Sequence, residues 1–263
     1  MTHLTLRLMT GAALSLVVCF VAYRARSLTL NGALAAFIVG TTAYIAGPLA
    51  AGALLIFFMS SSGLSRWRKR AKDVFGFEKT GVRDGSQVAA NGGLATLFYA
   101  LSVMSVHFRM FHSVNIPWQL LGIASLAEAN ADTWATEIGS VLGRSPRSIV
   151  NGRLCGRGES GAVSVSGLVA SIAGALVVSL FAIPYGHLAM AGCMVGAVVG
   201  ALFDSVLGAT LQAQWLENGV LTETGSKETP PWRGVRAISN DIVNFMATVA
   251  AALVTWLFIG APR

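Results

Sequence analysis

Glu128-Ala-Asn130-Ala-Asp132-Thr133-Trp134-Ala-Thr136-Glu137-Ile-Gly139 decides how the rest of the chain is read. Its flanks, Pro117 to Ala127 and Ile138 to Leu142, have the composition of a membrane-spanning helix, yet it holds three carboxylates, an amide and two hydroxyls. An ionisable group inside a span costs a few kcal/mol even on the gentler insertion scales, so such a segment marks a pathway, a metal or a substrate site. The plain alternative is a shorter span that leaves Glu137 in water at the helix end. That accounts for Glu137 alone; it does not account for Glu128, Asn130 and Asp132 together.

Working outward, the composition agrees with a membrane setting. The 263 residues are 54% hydrophobic and 12% charged, with a mean hydropathy of +0.64, outside the range of soluble globular domains. The expectation is an all-α, polytopic transmembrane bundle forming a single integral-membrane domain over 1–263. Apolar runs near the ~20 residues that cross a bilayer fall at 4–23, 28–46, 48–65, 87–106, 117–142, 162–183, 187–213 and 237–259, which predicts about eight transmembrane helices. The first run has a weak basic flank and leads through Arg24 and Arg26 into the next span, so it reads as helix one rather than as a cleaved signal. At Gly47-Pro48 either two short spans meet in a tight turn or one element breaks. Cys19, Cys155 and Cys193 have no metal-ligand spacing and predict neither disulfide nor zinc.

Sixteen of the nineteen Lys and Arg lie in the four loops that follow the odd-numbered spans; only Arg7, Arg109 and Arg263 lie elsewhere. Because basic residues accumulate in cytoplasmic loops, both termini are expected to be non-cytoplasmic and the long loops, with the active face, cytoplasmic. The membrane itself, cell or internal, is left open. Topology and attraction to anionic lipid account for the net charge of +7 and for the cluster Arg66, Arg68, Lys69, Arg70 and Lys72. Arg83, Arg144, Arg153, Arg157, Arg233 and Arg236 lie among glycines and polar residues near helix starts, which suits phosphate binding. A nucleic-acid partner is not expected, because no soluble basic domain with aromatics is present.

A weak two-helix repeat supports this layout. Asn31-Gly32, Asn91-Gly92, Ser160-Gly161 and Asn240-Asp241 each follow a basic loop and open an apolar helix. Such residues read as helix caps, and beside arginines Asn91 and Ser160 read equally as parts of an anion site. Along the fifth span Glu128, Asp132 and Thr136 share a face, and along the seventh Asp204, Gly208 and Gln212 do. Asp132-Thr133 and Asp204-Ser205 look like two copies of one device. With Gln87 and Asn91 on the fourth helix and Asn240, Asp241 and Asn244 on the eighth, four helices carry polar groups to one level. Hard oxygen ligands of this kind suit Mg2+, and arginines beside them suit nucleotide phosphates. No Walker A motif is present, and Gly156-Arg-Gly-Glu-Ser-Gly161 is a generic glycine-rich loop. His3, His107, His112 and His187 fall toward the other face and read as interfacial or loop residues, so a histidine-assisted nucleophile is not expected.

The string Asp132-Thr133-Trp134-Ala-Thr136-Glu137-Ile-Gly139 resembles the signature of the membrane family that includes plant phytyl-phosphate kinase of the vitamin E pathway. Arg83-Asp84-Gly85-Ser86-Gln87-Val88 through Asn91-Gly92, Gly161-Ala-Val-Ser164 and Gly200-Ala-Leu-Phe-Asp204-Ser205 through Gln212 are similar to further segments of it. The family usually has Gly-Thr-Asn-Gly where this chain has Gly158-Glu159-Ser160-Gly161. The resemblance implies phosphorylation of an isoprenoid monophosphate (phytyl, farnesyl or geranylgeranyl) to the diphosphate, at the expense of a nucleoside triphosphate, CTP or ATP. Placed on the groups above, it puts Asp132, Glu137 and Asp204, with Glu128, on magnesium. Arg83, Arg153 and Arg157 go to phosphates, with Asn91, Asn240 and Asn244 as hydrogen-bonding support. Two rivals stay open at the level of sequence: a transporter or flippase of a phosphorylated lipid or small anion, and a polyprenol kinase or lipid cytidylyltransferase.

Overall fold

A computed structural model describes residues 3–67, 82–107, 116–217, 220–223, 225 and 229–260. Arg68, Lys69, Arg70, Lys72, Lys79, Arg109, His112, Lys227 and Arg263 lie outside these described residues. Eight α-helices follow in order: α1 (His3–Arg24), α2 (Leu30–Ala46), α3 (Pro48–Arg66), α4 (Gly85–His107), α5 (Trp118–Leu142), α6 (Val165–Ser179), α7 (His187–Thr210) and α8 (Asn240–Ile259). A 3-10 turn, Leu180–Tyr185, extends α6. With that extension, six of the eight are long and apolar enough to cross a membrane; α2 has 17 residues, and α5 carries the acids.

The helix starts are capped one to seven residues away from the residues expected to do so. Thr29 caps α2, Ser164 caps α6 and Ser239 caps α8, each accepting from the backbone N–H three residues on. At α4, Asp84 Oδ1 accepts from Gln87 N at 2.9 Å. Asn31, Asn91, Ser160 and Asn240 are therefore not the caps, because another residue already fills that role upstream or, for Ser160, downstream. Gly47, at φ +139°, turns the chain between α2 and α3 with Pro48 opening the next helix, so two spans meet there in a tight turn. Two short antiparallel ribbons modify the all-helical expectation for the loops: β1 (Arg147–Ser148) with β2 (Ala162–Val163), and β3 (Trp215–Glu217) with β4 (Val220–Thr222).

α5 is the post of the bundle. It packs against α3, α4, α6, α7 and α8, and every residue from Leu120 to Ala131 is buried. A helix that is enclosed all round can carry acids that a lipid-facing helix cannot. α1 is the opposite case, exposing Leu6, Met9, Leu14, Leu16, Val17 and Phe20. Because lipid is as apolar as leucine, close packing rather than hydrophobic transfer joins such helices, and small residues make it possible. At Gly122 a Cβ would lie 2.4 Å from the Tyr99 ring, and at Gly174 it would lie 2.9 Å from Trp134.

All four basic loops come together at one end. Thr29 N donates to Arg83 O at 2.9 Å, and Arg66 Nη2 donates to Ala25 O at 2.9 Å. Ser86 Oγ donates to Asp241 Oδ2 at 2.7 Å, and Ser160 Oγ to Gln212 Oε1 at 2.8 Å. The opposite end is closed by short turns at Gly47 and Gly186, where Gln119 donates to Ala46 O at 2.9 Å and accepts from the Tyr185 hydroxyl.

Candidate functional site

The acids of α5 divide between two of its faces. Glu128 and Asp132 face α7 and α8. There the charges of Asp132 and Asp204 act on Glu128, and Asp132 and Glu223 act on Asp204. Glu223 acts on Asp132 as well. Glu128 is 1% exposed, and its Oε1 has no hydrogen-bond partner among the described residues. Gly200 on α7 makes the room for it, since a Cβ there would stand 2.5 Å from Glu128 Cγ and 2.9 Å from Ala247 O. Four carboxyl groups therefore share one part of the bundle.

The donors to this cluster are amides. Asn244, one turn into α8, turns its side-chain nitrogen to Asp204 Oδ2 at 3.0 Å and to Asn240 O at 3.2 Å. Gln212 Nε2 donates to Glu223 Oε1 at 3.1 Å. Sequence reasoning missed Glu223, which lies in a polar loop with no periodicity; the β3–β4 ribbon returns it to the helix ends. The likeness of Asp132-Thr133 and Asp204-Ser205 holds in three dimensions. Both acids point into the cluster while Thr133 and Ser205 hydroxyls turn back to Ala129 O (2.7 Å) and Ala201 O (3.2 Å).

Glu137 stands apart, on the side of α5 that meets α3. It accepts from the Ser65 hydroxyl, and its charge acts on Arg83. Arg83 sits over the Phe57 ring, 5.4 Å from its centroid. Burial lowers the Arg83 pKa to about 10, against the pull of Glu137; the guanidinium stays cationic at neutral pH. Asn130 is on a third face and is structural. Its nitrogen donates to Gly174 O at 2.8 Å, and its oxygen accepts from Ser60 Oγ at 2.9 Å, which itself accepts from Trp134 Nε1 at 3.2 Å.

Arg153 and Arg157 are exposed on the loop between β1 and β2, with Arg157 Nη1 3.5 Å from Val141 O. That loop is pressed against the end of α7. Gly161 has φ +81°, and a Cβ there would meet Ala209 at 2.4 Å, so glycine is required on both counts. Arg233 clamps the two loops, donating from Nη2 to Ser160 O at 3.2 Å and Gln214 Oε1 at 2.7 Å. Asn91 lies in the second turn of α4, donating to Gln87 O at 3.0 Å, on the Arg83 side.

The cluster therefore has the donor set of a hard divalent cation: carboxylate oxygens only, one of them buried without a partner. Among the described residues, however, no three of His, Cys, Asp and Glu are grouped so as to hold one metal ion, so any cation here would take most of its shell from water and phosphate.

The comparisons with known proteins bear on the same chain. A family model described as integral membrane protein DUF92 matches residues 13–252. The chain is 29% identical to Protein PGR of Arabidopsis thaliana, covering 95% of each chain. It is 28% identical to an uncharacterized membrane protein of Methanocaldococcus jannaschii, over 77% of this chain and 84% of that one. It is 24% identical to Protein VTE6, chloroplastic, of Arabidopsis thaliana, over 74% of this chain and 60% of that one. No solved structure matches.

Proposed function

This chain belongs to the integral membrane family DUF92, and from that premise we propose that it is a magnesium-dependent prenyl-phosphate kinase. It would transfer the γ-phosphoryl group of CTP or ATP to an isoprenoid monophosphate. The similarity to Protein VTE6 supports an enzyme of isoprenoid metabolism. The observation that carries the reading is the grouping of Glu128, Asp132, Asp204 and Glu223 within electrostatic reach of one another, with Glu223 contributed by the loop that Gln212 and Arg233 tie to the end where the basic loops gather.

The acceptor is an ionised phosphate. One of its oxygens forms a bond to the γ-phosphorus while the bond from that phosphorus to the β–γ bridging oxygen breaks, and the nucleoside diphosphate leaves with that electron pair. No proton has to be removed first, so no strong general base is needed. Catalysis then rests on alignment and on offsetting charge. A magnesium ion held by the cluster would supply the compensating charge for the phosphates. Asn244 fixes the Asp204 carboxylate, and Gln212 fixes Glu223. Arg83, held by Glu137, would take the acceptor phosphate, and the exposed Arg153 and Arg157 the nucleotide. Asn240 and Asn91 line the approach from α8 and α4. The concentration of Lys and Arg in these loops supports a cytoplasmic position for this face.

The test uses purified protein with magnesium, labelled CTP or ATP and phytyl, farnesyl and geranylgeranyl monophosphates. Label in a prenyl diphosphate, lost in Asp132→Asn, is the expected result. No transfer to any monophosphate by folded protein overturns it and turns attention to lipid-phosphate flux across liposomes.

A further inference from the structure

The carboxylate cluster leaves another feature of the bundle unused: a half-open cavity of about 410 Å³ between α1, α2, α3 and the first turns of α4. It opens to the outer surface along α1, where Leu14 and Val18 stay exposed, and its walls are apolar, with Ala36 and Val39 from α2, and Ala51 and Phe58 from α3. From Leu14 to Ala22 the α1 wall runs for about 12 Å at the helical rise. Hydroxyls of Ser15 and Tyr44 lie farther along it, but the charge and the amides do not. Arg83, Gln87 and Asn91 stand together at the loop end, and Arg83 is the one charged residue among the described lining.

We propose that this cavity is the tail chamber of the acceptor, holding the head-proximal part of an isoprenoid chain with its monophosphate at Arg83. The proposal rests on the kinase reading for the identity of the amphiphile, and on the cavity for its placement. Three observations favour this occupant. A volume of this size is at the lower end of ligand pockets and admits one chain rather than a diacyl lipid. A single cation at one end of an apolar wall matches a single anion at one end of an apolar chain. The cation is also tied to the carboxylate cluster: Asp84, next to it, accepts from Ser86 Oγ, which donates to Asp241 at the start of α8, and the next turn of α8 brings Asn244 to Asp204. The chamber is shorter than the ~30 Å hydrocarbon core, so the remainder of a long tail runs on into lipid, and selectivity falls on the segment beside the phosphate.

The experiment measures binding of tritiated geranylgeranyl monophosphate to the purified full chain in nanodiscs, without nucleotide. Ala36→Phe and Ala51→Phe fill the chamber from two different helices; Leu257→Phe, on the exposed surface of α8, is the control. Both filled variants should raise Kd at least tenfold while nucleotide affinity, which also reports folding, stays at the wild-type value. Arg83→Gln should weaken the monophosphate but not geranylgeraniol. A diazirine-bearing analogue should label α1 to α4 in wild-type protein, which keeps the idea testable if a filled variant does not fold. Unchanged Kd in both filled variants, labelling elsewhere, or displacement by an equal concentration of phosphatidic acid would overturn the chamber. Cavity-dependent binding without phosphoryl transfer sinks the kinase reading and leaves the chamber; transfer at wild-type KM in both filled variants does the reverse.

Discussion

Two polar clusters on one helix are handled in opposite ways. On the α7 and α8 side of α5, Glu128, Asp132, Asp204 and Glu223 are of one sign, and the protein gives them amide donors and no described cation. On the α3 side, Glu137 meets Arg83 and the Ser65 hydroxyl. The second cluster is electrically complete. The first has no described cation, and that imbalance is what the proposed magnesium ion would offset. Helical position sends Glu137 to a different face from Glu128 and Asp132, and what packs on each face differs.

The sharpest way to break that contrast is to neutralise one acid from each side. Asp204→Asn and Asp132→Asn are expected to lower kcat by about 10²–10³ or more, as removal of electrostatic support from a developing charge does. Glu137→Gln should cost about tenfold, through a looser Arg83, and should appear in KM for the acceptor. Equal losses in steady-state kinetics would mean that Glu137 shares the metal and that the two clusters are one site. The second test needs no turnover. Magnesium at about 100 times its Kd should stabilise wild-type protein by about 2.7 kcal/mol, read as a rise in Tm in detergent, and Asp204→Asn should show no rise. A Tm independent of magnesium in both would remove the cation from the carboxylate cluster. A smaller effect is expected from Asn244→Ala. Losing a hydrogen bond to a charged acceptor costs about 1.5 kcal/mol, hence roughly a tenfold drop in kcat/KM with Glu137→Gln additive to it. Non-additive kinetics in the double variant would connect the two faces.

This contrast was only half legible in the sequence. The spans could be read because apolar length is a composition property: eight runs gave eight helices, and Gly47-Pro48 proved to be the turn it resembled. Asp132 and Asp204 could be read as partners because each is followed by a hydroxyl in the same helical position. Helical spacing already turned Glu137 away from the face of Glu128 and Asp132; what it could not supply was the partner, since Ser65 and Arg83 are both distant in sequence. Glu223 had no signal at all. Its place depends on a three-residue ribbon in a loop, where no hydrophobic period marks which side chain turns inward. The caps were displaced for a related reason: Asn and Gly invite a cap reading, but the extended backbone belongs to Thr29, Ser164 and Ser239, and at α4 the capping acceptor is Asp84.

Asn130 offers the finest resolution of the faces and the smallest effect. It lies two residues from Asp132 inside the string that most resembles a kinase signature, so a motif reading would make it catalytic. Its amide is already spent on both sides, on Gly174 O and Ser60 Oγ, and the Trp134 ring shares the same serine. Each contact ties α5 to a neighbouring helix, and hydrogen bonds between membrane helices average about 0.6 kcal/mol. Asn130→Ala should therefore lower stability by about 1–2 kcal/mol, with kcat, both KM values and the magnesium requirement unchanged at a temperature where the protein is folded. A loss of kcat as large as that of Asp132→Asn, without loss of Tm, would move Asn130 into the site and show that α5 turns during the reaction.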